Sequence, residues 1–231
     1  LRMQCLNNLK LVNLSIHVWE GNHGGKYPTA VSTANGGAME NIASQSGGYI
    51  KTNYAVANVF LVMSNQLGTP KILACPADQA KTSLPGDGRS GPTGPPLTGT
   101  TNWGDFGADH LSYFVEGNAS DTFPQMILLG DRNIGSTTQN NQGIAVPAPK
   151  MDMVNGPFTE MFVTGATSVP RVVFPWGWTD ADIHQDAGNL GMADGSVQQT
   201  SLGGLQTALH VTEAARGNGP PPMQNVILNM P

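Results

Sequence analysis

Apolar residues recur over the first nineteen positions at Cys5, Leu9, Val12, Ile16 and Trp19, spacings of four and three that place one stripe along an α-helix. Arg2, Gln4, Asn8, Asn13 and Ser15 take the other faces, and Gly21 or Gly24-Gly25, with Pro28 behind them, ends the helix. A lone amphipathic helix needs a surface to cover, and the pattern downstream supplies strands. Segments 111–115 (LSYFV) and 125–129 (QMILL) are rich in aromatic and aliphatic residues and flank a polar turn with Pro124, which predicts two strands. Apolar-polar alternation on both sides of Asp194-Gly195 predicts a hairpin of 189–193 with 196–200. Asp-Gly tolerates the positive φ that a type I′ turn demands.

Weaker periodicities fill the intervals. Val59, Phe60, Met63 and Leu67 predict a second helix over 56–67, stopped by Gly68-Thr69-Pro70. Segment 71–75 reads as a strand ended by Pro76, 171–174 as another strand, and 202–211 as a helix carrying Leu202, Leu205, Leu209 and Val211. Segments 29–53 and 134–160 show no sustained period, 85–104 is a long Gly/Pro excursion, and the tail with Pro220-Pro221-Pro222 is extended. These elements make an α+β protein: one domain over 1–231, with a helix at 1–20 and a loop-rich antiparallel sheet region at 21–231.

Composition narrows the function. Only 12% of the 231 residues are charged, against 29 Gly and 17 Pro, so much of the backbone is satisfied in turns rather than in charged surface helices. A net charge of −5 with scattered Lys and Arg gives no reason to approach phosphates, which argues against nucleic acid as a partner. No window approaches the roughly 18 apolar residues of a spanning helix. Cys5 and Cys75 lack the spacing of a metal motif, and two readings stand: one bridge, or two buried thiols. In an exported protein a bridge closing about 70 residues is worth about 4 kcal/mol in the chain-entropy model.

Several residues are candidates for chemistry. His184 with Asp131 and Asp194 suggests acyl transfer, yet no G-x-S-x-G elbow is present and neither cysteine sits in a protease-like context. The reading preferred is that His184 donates a ring N–H to a carbonyl or to a carboxylate such as Asp194 or Asp131, holding the approach to the hairpin. Asp131-Arg132-Asn133 forms a polar node at a strand end, where the guanidinium fork can join carbonyls and carboxylates of separate segments. Asp180, Asp182 and Asp186 faintly echo a calcium loop, but His184 and Gly191 occupy positions where that loop needs oxygen ligands. Trp103, Trp176 and Trp178 lie among glycines, where an aromatic face serves either as a sugar platform or as a lid on the core.

Four stretches carry a resemblance. His184, nine intervening residues and Asp194-Gly195 resemble the H-x(9)-D-G domain that ends a family of prepilin-like proteins in planctomycetes and verrucomicrobia. QCLNNLKLVNLSIHVWEGNHGGKYP at 4–28, TPKILACPAD at 69–78 and LSYFVEGNASDTFPQMILLGDRN at 111–133 are similar to the same family, in the same order. The resemblance implies a pilin-like fold and a non-catalytic structural subunit of a type IV pilus-like or type II secretion pseudopilus filament. Its partners would be other pilin or pseudopilin subunits, its compartment the periplasm or cell exterior, and its cofactor none, or calcium at the Asp180–Asp186 loop. It also implies an upstream apolar helical segment, absent from this sequence, that anchors the precursor in the inner membrane before assembly. The competing class is a periplasmic solute- or glycan-binding module that would use the 85–104 excursion and the Trp176/Trp178 pair.

Overall fold

The computed structural model describes residues 1–42, 44, 55–78, 103–107, 110–139, 145–147, 158–159, 176–178, 183–215 and 226–229. Helix α1 (Arg2–Gly21) ends at the first of the two expected stops. Its last carbonyls, on Trp19 and Glu20, accept from Asn22, His23 and Gly25, and Gly24 and Gly25 take the left-handed backbone that closes such a cap. The predicted stripe is its buried face, each of the five side chains no more than 2% exposed. Asn13 and Ser15, assigned above to other faces, are buried as well. Asn13 Nδ2 donates to the carbonyls of Met192 and Ser196, and Ser15 Oγ donates within α1 to Leu11 and outward to Gln66. A polar side chain is tolerated on a buried face when the opposite surface presents carbonyls.

That surface is an antiparallel sheet. Strands β1 (Tyr113–Glu116), β2 (Ile127–Asp131), β5 (Phe158–Thr159), β7 (Ala187–Met192), β8 (Val197–Ser201) and β9 (Ile227–Asn229) form six strands in the order β5-β9-β1-β2-β7-β8. Strands β3 (Ile134–Gln139), β4 (Ala145–Pro147) and β6 (Trp176–Trp178) form a second, three-stranded sheet in the order β4-β3-β6. The fold is α+β, with the N-terminal helix packed on an antiparallel sheet.

The middle strands of the large sheet, β1, β2 and β7, are buried on both faces. Tyr113, Val115, Leu128 and Leu129 join the core under α1, whereas Phe114, Ile127, Leu190 and Leu228 join a second core with Ile134 and Trp178. A C-terminal helix α4 (Leu202–Ala215) contributes Leu205, Ala208 and Leu209 to that second core. Alternate residues therefore face different helices, which is why β1 and β2 read as unbroken apolar runs. Leu128 and Leu129 share a side because the β2–β7 register shifts between Ile127 and Leu129.

Several expectations are corrected. The hairpin turn is not type I′: Ala193-Asp194-Gly195 is a three-residue loop in which Gly195 alone has positive φ, with Gly195 N–H donating to Met192 and Met192 N–H to Ser196. One left-handed glycine after two right-handed residues makes the bulged hairpin, so Asp194 is free to cap the turn by accepting from the Ser196 N–H. The helix expected over 56–67 breaks into α2 (Ala57–Leu61) and α3 (Ser64–Leu67) at Met63, and the resulting tilt leaves the Gln66 carbonyl within reach of Ser15. The strand expected at 71–75 is instead a 3-10 turn, Pro70–Leu73, because Pro70 presets a helical φ and Thr69 Oγ1 caps the Lys71 N–H. Segment 134–160, read as loop, holds β3, β4 and β5, and the tail holds β9. Segment 171–174, residues 85–102 of the Gly/Pro excursion and the proline run lie outside the described residues.

Trp178 lies flat over Gly188 of β7, where an added Cβ would fall 2.5 Å from its ring. Gly188→Ala is expected to destabilise the fold by about 1–3 kcal/mol through overpacking. Gly21→Ala, at the open end of α1 where a Cβ meets nothing, should leave stability unchanged or raise it by up to about 1 kcal/mol. Urea unfolding of the two variants beside the parent measures both.

Candidate functional site

Below the N-terminal half of α1, the chain assembles a buried polar node from segments far apart in sequence. α1 brings Cys5, the 3-10 turn after Pro70 brings Cys75 and Asp78, the end of β2 brings Asp131, Arg132 and Asn133, and the approach to β7 brings His184 and Asn189. Cys5 and Cys75 are joined in a disulfide, with Cα atoms 5.0 Å apart. The Cys75 N–H donates to Ser112 Oγ, which ties the bridge to the start of β1.

The three consecutive residues at the end of β2 reach three different places. Asp131 Oδ2 accepts from both the backbone N–H and the side-chain Nδ2 of Asn189, at 2.7 and 2.8 Å. Arg132 grips Asp78 with two parallel bonds, Nε to Oδ2 at 2.7 Å and a terminal nitrogen to Oδ1 at 2.6 Å. Asn133 Nδ2 donates to the carbonyls of Ile183 and Ala187, one on each side of His184. A forked guanidinium matched to a carboxylate is the strong form of such a pair, and burial of Asp78 removes water as a competitor.

His184 turns into this node by an unusual path: His184, Gln185 and Asp186 all have positive φ, at 54°, 42° and 55°. For L residues that conformation costs about 1–2 kcal/mol each, so the surroundings must hold it. Asn133 on both flanking carbonyls and Arg2 on the His184 carbonyl do so. The imidazole Nε2 then lies 3.5 Å from Cys75 Sγ and 3.6 Å from Asp131 Oδ2. Asp194, the other carboxylate considered for His184, belongs to the hairpin turn instead.

Burial shifts both titrating groups toward neutrality. Loss of water pushes the Asp131 carboxyl up to about 7, against the opposing pull of the two Asn189 donors. Loss of water, then the positive charges of Arg2 and the chain's amino terminus, draws His184 down to about 4. Asp131 Oδ1 is buried without a partner.

The other sequence candidates separate from the node. Asp180 and Asp182 lie outside the described residues, and Asp186 is exposed. Trp178 is a core residue rather than a platform, 2% exposed, and Trp103 packs edge-on against Phe106 with ring centroids 5.5 Å apart. The side chain of Trp176 is outside the described set. Sequence reasoning missed Asp78, Ser112 and Asn189 as members of the node. Asp78 closes the TPKILACPAD stretch, and a buried partner for Arg132 was the signal that pointed to it.

As built, the node is closed. Cys5, Cys75 and Asp131 are fully buried, and the sulfur beside the imidazole is already bonded, so no nucleophile is presented to solvent. Comparison with known family models, curated proteins and solved structures finds no match to this chain.

Between about pH 4 and pH 6.5 the folded Asp131–His184 pair carries one proton, on Asp131, and the unfolded pair also carries one, on the histidine. The pair therefore makes stability nearly independent of pH in that window. Asp131→Asn removes the carboxyl and leaves a His184 that is neutral when folded and protonated when unfolded. The Tm of that variant, relative to the parent, is expected to fall as pH drops from 6.5 toward 4. Parallel thermal melts across the range check the slope. Independently, the Cys5→Ser/Cys75→Ser double variant should lose about 4 kcal/mol, the value for a loop of 70 residues, in denaturant titration.

Proposed function

We propose that this chain is the globular part of a filament subunit, of the type IV pilus or type II secretion pseudopilus kind, and that it assembles rather than catalyses. One observation carries the proposal: α1 is apolar on two opposite faces. The stripe from Cys5 to Trp19 is consumed by the sheet. On the far side Met3, Leu11, Leu14 and Val18 are 66%, 50%, 59% and 49% exposed. At about 100° per residue these four cluster roughly opposite the buried stripe. They run along about 22 Å of helix. Single exposed apolar residues need no explanation, but a row of them on one helix marks a surface made to be covered.

A second helix of the same kind is the cover that suits this row. Ridges of leucine and valine on two copies interdigitate, and Lys10 is the one charged side chain among 3–18 on that side of the helix. The low charge of the chain reduces repulsion between neighbouring heads. The disulfide suits an exported compartment, periplasmic or extracellular. No described helix is long and apolar enough to cross a membrane, so the proposal assigns anchoring to a segment outside this sequence. The resemblance of four ordered stretches to prepilin-like proteins supports the same reading. Those stretches contribute Cys5, Cys75, Asp78, Asp131, Arg132, Asn133 and His184 to the one buried node.

Leu14→Glu lies on the exposed row and should change folding stability by no more than about 0.5 kcal/mol. In the full-length precursor it should abolish assembly, read as the loss of sedimentable filaments after shearing and of filaments in electron micrographs. Leu9→Glu would instead unfold the chain. Normal filament yield from a well-expressed Leu14→Glu precursor overturns the assembly reading.

A further inference from the structure

The node has the donor set of a tetrahedral metal site held shut by oxidation. Cys5 Sγ, Cys75 Sγ and His184 Nε2 lie within 4.8 Å of one another, all buried. Asp131 stands beside them, with Oδ2 3.6 Å from the imidazole nitrogen and Oδ1 buried without a partner. We propose that the reduced protein binds one zinc ion through Cys5, Cys75, His184 and Asp131, so that the same two segments are cross-linked by sulfur–sulfur bonding when oxidised and by metal when reduced.

The distances fit. Tetrahedral zinc, with bonds of about 2.3 Å to sulfur and about 2.0–2.1 Å to nitrogen or oxygen, sets ligand separations of roughly 3.6 Å for S···N and roughly 3.4 Å for N···O. Here Cys75 Sγ to His184 Nε2 is 3.5 Å and His184 Nε2 to Asp131 Oδ2 is 3.6 Å. The Cys75–His184 separation is thus already in place, and the Asp131 carboxylate is near enough to the imidazole to supply an oxygen to the same ion by turning. The sulfurs must part, to roughly 3.8 Å, by rotation of a cysteine side chain, and the Asp131 carboxylate, which stands outside the Cys5–Cys75–His184 group, must draw in toward them. Asn189 donates to Asp131 Oδ2 and holds that oxygen, which leaves Oδ1, buried without a partner among the described residues, as the oxygen that turns to the ion. Two thiolates, one carboxylate and a neutral imidazole leave the site at −1 with zinc, beside Arg2, whose guanidinium already bonds the His184 carbonyl.

The redox step balances with an external dithiol or phosphine as reductant. A dithiol gives two electrons and two protons to the Cys5–Cys75 bond and becomes a disulfide, and the two new thiols, with the Asp131 carboxyl where it is protonated, lose their protons to solvent as the metal binds. A phosphine does the same with one water and leaves as its oxide.

The test uses the whole chain reduced with a phosphine and titrated with zinc or cobalt(II). One ion per chain is expected, with cobalt showing the visible bands of tetrahedral coordination and a thiolate charge-transfer band. Zinc at about a hundred times its Kd should raise the Tm of the reduced protein by about 5–10 °C. The oxidised chain should bind neither metal at this stoichiometry. His184→Ala and Asp131→Asn, both of which keep the cysteines, should each weaken zinc more than tenfold. If the reduced chain loses its fold, refolding from denaturant with zinc present should recover it, and refolding with magnesium should not. Absence of a cobalt–thiolate band, equal affinity in the oxidised chain, unchanged affinity in both side-chain variants, or no zinc-specific recovery overturns the assignment. None of these outcomes bears on filament assembly, which the Leu14→Glu precursor tests separately.

Discussion

Five side chains of α1, from Cys5 to Trp19, close one face of the large sheet, and the placement of every polar group in the buried node depends on that closure. Full burial of a large apolar side chain is worth about 1.5–3 kcal/mol, so the stripe outweighs any single polar contact beneath it. What the stripe does not choose by itself is the register along the sheet, because apolar burial fixes which face turns inward but is not directional. Position is specified by directional contacts: Asn13 on the hairpin carbonyls, Tyr27 on the Ala193 carbonyl, and the bridge from Cys5 to Cys75. The bridge differs from the others in kind, since it acts by restricting the unfolded chain as well as by holding the folded one.

Around the bridge, the low dielectric makes polar pairing compulsory. Arg132 and Asp78 meet in a bidentate geometry that compensates their loss of water, whereas His184 and Asp131 approach neutrality instead of forming an ion pair. The difference follows from proton affinity. A guanidinium does not deprotonate in a protein, but an imidazole and a carboxyl can both shed charge when water is removed.

The helix that organises the interior also presents the surface proposed for assembly. Its two apolar faces have different fates: one meets strands of its own chain, the other meets solvent in the isolated head. Helix α4 lends Leu205, Ala208 and Leu209 to the second core, on the other face of the sheet. In this reading the node is a rivet for the subunit. It holds α1 at a set angle to the sheet, and in the proposed filament that angle would set how neighbouring subunits meet.

What could be read from residues alone was the local and the periodic. The helical stripe of α1, the strand character of 113–116 and 127–131, the Asp-Gly hairpin and the α+β class all follow from spacing and side-chain type, which act within a few residues. The membership of Asp131, Arg132, Asn133 and His184 in polar contacts was legible for the same reason, since a charged or polar cluster at a strand end has to be satisfied. Which partner each would take was not. Arg132 finds Asp78 and Asp131 finds Asn189 through separations of 54 and 58 residues, and β9 finds β1 from the far end of the chain. The sheet's second covered face, the Met63 break and the left-handed path through His184 were likewise decided only by packing. Short strands and three-residue turns carry too little local preference to outweigh the burial of a neighbour. Periodicity reports what a segment prefers by itself, and long-range contacts report what the whole chain can satisfy at once.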